Sequence, residues 1–305
     1  MTPRHLLALE DFSGDQLRAL VDRALVLKQE SKAGARHQQL SGKIIGMIFE
    51  KPSTRTRASF EAAMYGLGGQ VMFLSARDTQ LARSEPLKDT ARVMSRYVDG
   101  LVVRTFGQSV VEELAAYATA PVINALTDLH HPCQVLSDVM TMLEKKGDIA
   151  ALNVAWIGDG NNMANSWIQA AGKLGFSLTL ACPEGYEPDA AILARSRAQA
   201  ARPITLLREP AQAAQKADVV NVDVWASMGQ EEEREERSGV FSAYQLDEKL
   251  MALAAPGAIV MHCLPAHCGE EITEALFEAQ AETLFDQAEN KMHMHKALLE
   301  HFLLA

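Results

Sequence analysis

The sequence predicts an α/β protein of two domains, each a parallel sheet flanked by helices, with the C-terminal helix returning to the first domain. Three observations carry this. Short apolar runs alternate with stretches of helical spacing, and the alternation occurs twice. The length, 305 residues, suits two cores of roughly 100–200 residues each. Residues with anion- or cation-binding chemistry gather just past the apolar runs, where open parallel sheets bind their ligands.

The elements follow in order. From Asp15 to Lys28, Leu17, Leu20, Ala24 and Leu27 lie on one helical stripe. GKIIGMIFE (42–50) is a short apolar run and reads as a buried strand. Helical spacing returns over 59–67 through Phe60, Ala63, Met64 and Leu67, and stops at Gly68-Gly69. QVMFLS (70–75), DGLVVRTF (99–106) and APVINAL (120–126) read as the next three strands. After Gly147 the pattern resumes with NVAWIGDG (153–160), FSLTLAC (176–182), ADVVNVDVW (217–225) and AIVMHCLP (258–265). The expected division is 1–135 with a last helix at 288–305, a connecting helix at 136–147, and a second domain at 148–287. No internal repeat or low-complexity linker interrupts this.

Composition narrows the function. Lys and Arg number 29 against 39 Asp and Glu, a formal charge of −10, which argues against a nucleic-acid or anionic-membrane binder. No apolar run approaches the roughly 20 residues that span a bilayer. MTPRHLLALEDF lacks the apolar core and cleavage site of a secretory signal. Cys133, Cys182, Cys263 and Cys268 form no CxxC pair. The expectation is a reduced, cytoplasmic protein without a disulfide or zinc framework. Nor do the nine histidines make a ligand-spaced pair beside a site carboxylate, so neither metal nor cofactor is expected.

FEKPSTRTRASF (49–60) joins the first strand to its helix. Ser53, Thr54 and Thr56 bring hydroxyls; Arg55 and Arg57 bring guanidinium donors. At a helix start the backbone N–H groups lack helical partners, and the macrodipole adds about half a positive charge. A phosphate there gains from all of these. A Ser/Thr cap beside two surface arginines is the alternative, and it leaves the density of donors after a buried strand unexplained.

KPSTRTRASF resembles the carbamoyl-phosphate loop of the aspartate and ornithine carbamoyltransferases. Further segments agree in order: 78–106, HPCQ (131–134), GDGNNMANSW (158–167), DVWASMGQEE (223–232), HCLPAH (262–267) and FDQAENKMHMHKALL (285–299). The resemblance is closest to the ornithine-using members and implies transfer of the carbamoyl group to the δ-amine of ornithine, giving citrulline and phosphate, within arginine metabolism. On it, Ser53, Thr54, Arg55 and Thr56 would hold the phosphate, with Arg57 in support. Arg104 and His131 would stabilise the oxyanion. Pro132, Cys133 and Lys291 would complete the carbamoyl-phosphate site, and Gln134 would hold the carbamoyl NH2. Cys263 and Leu264 would meet the carbamoyl group, with Cys263 also within reach of the acceptor amine. Asp223 would pair with the acceptor's ammonium, while Asn162, Ser227 and Met228 would orient it. Gln80 would reach a neighbouring subunit's site, which implies a homotrimer or a multiple of trimers.

Several residues carry a plainer reading beside this one. Asn161 and Asn162 follow a Gly-rich strand end, where asparagine commonly serves a turn. His262 reads as structural, and EEEREER (231–237) as a solvated face. A dehydrogenase reading of VAWIGDGNNMAN fails, because Met163 stands where a third glycine belongs and the next strand ends in Cys182-Pro183 rather than an acidic residue. Two positions depart from the family pattern: Cys268 and Lys291 each stand for an expected arginine. They leave a non-catalytic relative as the third reading.

Overall fold

The computed structural model describes residues 4–75, 85–226 and 231–304. Two compact units divide the chain, one of Met1–Met140 with Asn290–Ala305 and one of Thr141–Glu289.

In the first unit α1 (Gly14–Lys32) precedes β1 (Ile44–Phe49), α2 (Thr54–Gly66), β2 (Gln70–Ser75), α3 (Leu87–Met94), β3 (Gly100–Arg104), α4 (Gln108–Tyr117), β4 (Val122–Leu126) and α5 (Pro132–Lys146), which runs on into the second. All strand pairs are parallel, in the order β2-β1-β3-β4. β1 and β3 are buried along nearly their whole length, which is why their sequences are apolar runs rather than alternations. β2 lies at the edge and is only partly buried.

The second unit repeats the plan. β5 (Asn153–Ile157), α6 (Asn162–Leu174), β6 (Ser177–Ala181), α7 (Ala190–Gln199), β7 (Ile204–Leu207), α8 (Pro210–Ala214), β8 (Val219–Val222), α9 (Arg234–Phe241), α10 (Glu248–Met251), β9 (Ile259–His262) and α11 (Glu274–Ala279) follow in order. The sheet is again parallel, ordered β7-β6-β5-β8-β9. Its core gathers Ile157, Val220, Trp225, Phe241 and Leu246, among others. The eight strands expected from sequence are all present. A ninth, β7, was not expected; its four residues between Pro203 and Pro210 are too short for a periodicity, and it pairs on one side only, as the edge of the sheet.

The last helix, α12 (Ala281–Leu303), starts earlier than the expected residue 288, because Gln280 caps α11 and the chain re-enters helix at once. Its C-terminal part packs on α1. Arg23 grips Glu300 with Nε and Nη2 at 2.6 and 2.9 Å, Lys28 donates to Asn290 at 2.7 Å, and Phe12 meets Phe302 edge to face. Leu298 and Leu299 are fully buried there. No helix of the described residues is long and apolar enough to cross a membrane.

Both sheets reverse their strand order once, between β1 and β3 and between β5 and β8. At such a point the connections leave to opposite sides and open a crevice at the strands' carboxyl ends. Gly158-Asp159-Gly160 makes the turn out of β5. Gly158 has φ +131°, reached easily only without a side chain. A Cβ on Gly160 would lie 2.2 Å from the Pro188 nitrogen and 2.3 Å from the Glu187 carbonyl carbon. Since these are backbone atoms, Gly160→Ala is expected to cost about 1–3 kcal/mol by overpacking. A urea midpoint unchanged from wild type would show that the turn can shift.

Candidate active site

The first unit concentrates cations at its switch point. Ser53 N-caps α2, and its Oγ accepts from Thr56 N at 3.3 Å. Thr54 and Arg55 are exposed on the first turn, whereas Thr56 is buried. Lys291, from α12, is 6% exposed and donates from Nζ to Thr56 Oγ1 at 3.0 Å. Arg104 ends β3 beside β1 and is 4% exposed. His131, buried just before α5, feels both charges: burial first, then Lys291, Arg104 and His295, hold its pKa well below the usual 6.5. It is therefore a neutral imidazole, able to donate one hydrogen bond without adding a charge.

His295 lies one turn beyond Lys291. It stacks flat on Phe60 with centroids 3.6 Å apart, and neither ring nitrogen finds a hydrogen-bond partner among the described residues. Burial and then Lys291 push its pKa well below 6.5.

Other expected residues take more specific positions. Gln134 donates from Nε2 to Asp138 Oδ1 at 2.8 Å, which leaves its buried Oε1 as an acceptor with no donor among the described residues. Cys133 turns inward: its thiol donates to the Asn124 carbonyl at 3.3 Å, and burial raises its pKa to about 12. The residue is fully buried, so its thiol is committed to the interior. Pro132 is buried at the start of α5. Arg57 points elsewhere than the cradle, pairing with Glu61 at 2.8 Å and lying 3.6 Å from the Phe73 ring centroid. Gln80 lies outside the described residues.

In the second unit the residues past β5, β8 and β9 converge on one carboxylate. Asp223, 6% exposed, follows β8. Its Oδ1 accepts from Val224 N at 2.9 Å and from Cys263 Sγ at 3.0 Å; its Oδ2 accepts from Asn161 Nδ2 at 2.9 Å. Asn161 also caps α6, accepting from Met163 N and Ala164 N. Sequence reasoning gave Asn161 only a turn; the side chain serves the turn and orients Asp223. Asn162 begins α6, half-buried, with its carbonyl accepting from Ser166 Oγ. Ser227 and Met228 lie outside the described residues.

The Cys263-Leu264 turn is held from behind. Leu264 has φ +61°, uncommon for a branched side chain. Its N–H donates to His262 Nδ1 at 2.8 Å, so the ring proton sits on Nε2 and goes to Glu271 Oε1 at 3.0 Å. His262 thus spends both ring nitrogens on holding the turn, in keeping with the structural reading. The fold also brings ligand-type atoms of Asp223, His262 and Cys263 within 4.8 Å of one another, a grouping that residue spacing did not reveal. Both nitrogens of His262 are already committed to Leu264 and Glu271.

Comparison with known proteins agrees with the fold. The sequence model of the aspartate/ornithine carbamoyltransferase carbamoyl-P binding domain matches residues 4–144, and that of the Asp/Orn binding domain matches 150–302. The chain belongs to the aspartate/ornithine carbamoyltransferase family. An ornithine carbamoyltransferase of Desulfotalea psychrophila is 68% identical over 301 residues, 99% of each chain. One of Pelobacter propionicus is 54% identical over 97% of each. Among solved structures, the ornithine carbamoyltransferase of Pyrococcus furiosus has a TM-score of 0.92 at 47% identity, covering 97% of this chain and 95% of its own. The anabolic enzyme of Campylobacter jejuni gives 0.92 at 42% identity over 98% of both. Within this family, Ser53 to Thr56, Arg104 and His131 fall in the stretch matched by the carbamoyl-P binding domain, and Asn161, Asp223 and Cys263 in that matched by the Asp/Orn binding domain. Lys291 also falls in the second stretch, although α12 returns it to the first compact unit.

The buried histidines give a pH dependence. Above pH 6.5 they are neutral in folded and unfolded chains alike. As pH falls through 6.5 the unfolded chain takes up protons that folded His131 and His295 refuse, so stability is lost on the acid side. The urea midpoint is expected to drop below pH ~6.5, and less so in His295→Leu. An acid slope equal in the variant would remove His295 from this account.

Proposed function

We infer that this chain transfers the carbamoyl group of carbamoyl phosphate to the δ-amine of L-ornithine, giving L-citrulline and phosphate. The observation that carries this is the convergence of Thr56, Arg104 and His131, all within the stretch matched by the carbamoyl-P domain, with Lys291, which α12 returns to the same compact unit. Asp223 offers a buried carboxylate in the unit matched by the acceptor domain. The relatives that match along nearly the whole chain are ornithine carbamoyltransferases.

The residues divide the work as follows. Ser53, Thr54, Arg55 and Thr56 hold the phosphate at the start of α2, where helix N–H groups are unused by the helix. Arg104 donates to the carbonyl oxygen of the carbamoyl group, and neutral His131 adds a hydrogen bond; such groups are worth roughly 3–4 kcal/mol each as charge develops on that oxygen. Gln134 Oε1 accepts from the carbamoyl NH2. Asp223 pairs with the α-ammonium of ornithine. Cys263 and Leu264 serve the carbamoyl group and the acceptor amine, with Asn162, Ser227 and Met228 aligning the acceptor. The δ-amine, with a solution pKa near lysine's ~10.4, attacks in its neutral form, and nearby cations favour that form. The C–N bond forms, the C–O bond to phosphate breaks, and phosphate leaves with the displaced electron pair and accepts the amine's proton.

A place in arginine biosynthesis, a cytoplasmic location and a homotrimer completed by Gln80 of a neighbouring copy belong to the same reading. Free cysteines at 133, 182, 263 and 268 are compatible with a reducing compartment. Citrulline formation from the two substrates tests the activity, and sedimentation tests the trimer. Activity with aspartate in place of ornithine would overturn the acceptor assignment.

Asp223→Asn is expected to raise the KM for ornithine by a factor equivalent to roughly 2–5 kcal/mol, with the carbamoyl-phosphate KM little changed. Arg55→Ala carries the opposite bias. Steady-state kinetics with each substrate varied would expose a merely structural role as equal effects on both.

Lys291 is the informative departure. Lysine keeps the charge and reaches Thr56, but lacks the planar fork of the arginine expected there. Lys291→Arg is expected to tighten carbamoyl phosphate by about tenfold, the worth of one charge-assisted hydrogen bond. Weaker binding in that variant would mean that the pocket is built around lysine.

A further inference from the structure

The acidic run after residue 230 reads as a solvated face, and Glu232 to Glu236 are exposed. Arg237 is the exception. It is 4% exposed, and its guanidinium lies 4.8 Å from the Tyr186 ring centroid and 5.4 Å from that of Phe241. Nη2 donates to Asp159 Oδ2 and Nε to the Trp225 carbonyl. Nη1 reaches the exposed Glu233 at 3.4 Å.

These contacts have a common direction. Asp159 lies two residues before Asn161, in the turn out of β5. Trp225 lies two residues after Asp223, in the exit from β8. Asn161 and Asp223 are themselves joined at 2.9 Å. Arg237 thus grips both segments that carry the acceptor-end hydrogen bond. Asp159 is also an acidic group near Asp223: burial raises its pKa to about 6, with Asp223 pushing the same way and Arg237 opposing both. Two buried carboxylates facing one ammonium would repel each other, and one would take up a proton. A guanidinium bound to one of them removes that conflict.

We propose that Arg237 is a positioning residue for the acceptor, neutralising Asp159 so that one net negative charge, on a fixed Asp223, meets the single ammonium of ornithine. This rests on the carbamoyl-transfer reading above. It assigns no contact between Arg237 and the substrate. The effect passes through the charge on Asp159 and the orientation of Asp223.

Charge balance between Arg237 and Asp159 has a consequence that ordinary packing does not share. Removing either partner alone upsets the balance: Arg237→Gln leaves two carboxylates, and Asp159→Asn leaves a guanidinium beside Asp223 with no net charge for the ammonium. Removing both restores a single negative charge.

The test is a double-variant cycle with Arg237→Gln, Asp159→Asn and the pair, in steady-state citrulline assays with each substrate varied. Each single variant is expected to raise the ornithine KM about tenfold, equivalent to ~1.4 kcal/mol, with the carbamoyl-phosphate KM unchanged. The pair is expected to recover most of the loss. Arg237→Lys, which keeps the charge without the fork, is expected to fall between wild type and Arg237→Gln. If Arg237→Gln does not fold alone, the pair is compared directly with Asp159→Asn, and recovery of the ornithine KM in the pair carries the same test. A double variant no better than the worse single, or equal effects on both substrates, would overturn the proposal and leave Arg237 as packing. Absence of citrulline formation by the wild-type enzyme would instead overturn the functional reading itself.

Discussion

The point at which a parallel sheet reverses its strand order constrains everything else in this molecule. Where β1 meets β3, and again where β5 meets β8, adjacent strands send their chains to opposite faces. The carboxyl ends between them are left uncovered by any connection. Each unit places its candidate site residues there. Ser53 to Thr56 and Arg104 stand at the first reversal; Asn161 and Asp223 stand at the second. Residues from outside the pairs, Lys291 and Cys263, are delivered to the same ends by α12 and by the exit from β9.

The two ends carry opposite charge logic. In the first unit, cations crowd together, and the histidines among them stay neutral because burial and the neighbouring charges both oppose protonation. In the second unit, a carboxylate is held by three donors that add no full charge: a backbone N–H, a thiol and an amide. Such donors fix its direction while leaving its charge available for a cation.

Much of this was legible in the sequence. Eight of the strands announce themselves as apolar runs, because parallel strands are covered on both faces. The anion cradle could be read from hydroxyl and guanidinium density after a strand, and Asp223 from an acid ending VVNV. What stayed hidden was pairing across long sequence distances. Nothing local marks Arg237, embedded in EEEREER, as buried against Asp159, 78 residues away. Arg57 looked like a cradle residue by position, yet its i+4 neighbour Glu61 and the Phe73 ring claim it. Cys133 belongs to HPCQ, and only the structure shows its thiol turned into the core. β7 escaped for a different reason: four residues at a sheet edge carry too little pattern to be seen.

The bond between Lys291 and Thr56 joins positions 235 residues apart. Contacts of that separation cost more loop entropy than local ones and form after the sheets that bring them together. The first unit is discontinuous in the chain, since α12 returns to it only after the second unit has been made. A nascent chain emerging from the ribosome can thus build β1 to β4 and the cap of α2 well before the site has its lysine. The Lys291–Thr56 contact can therefore form only once α12 has been synthesised, and any ligand that touched both α2 and α12 would favour the completed chain over its precursors by mass action.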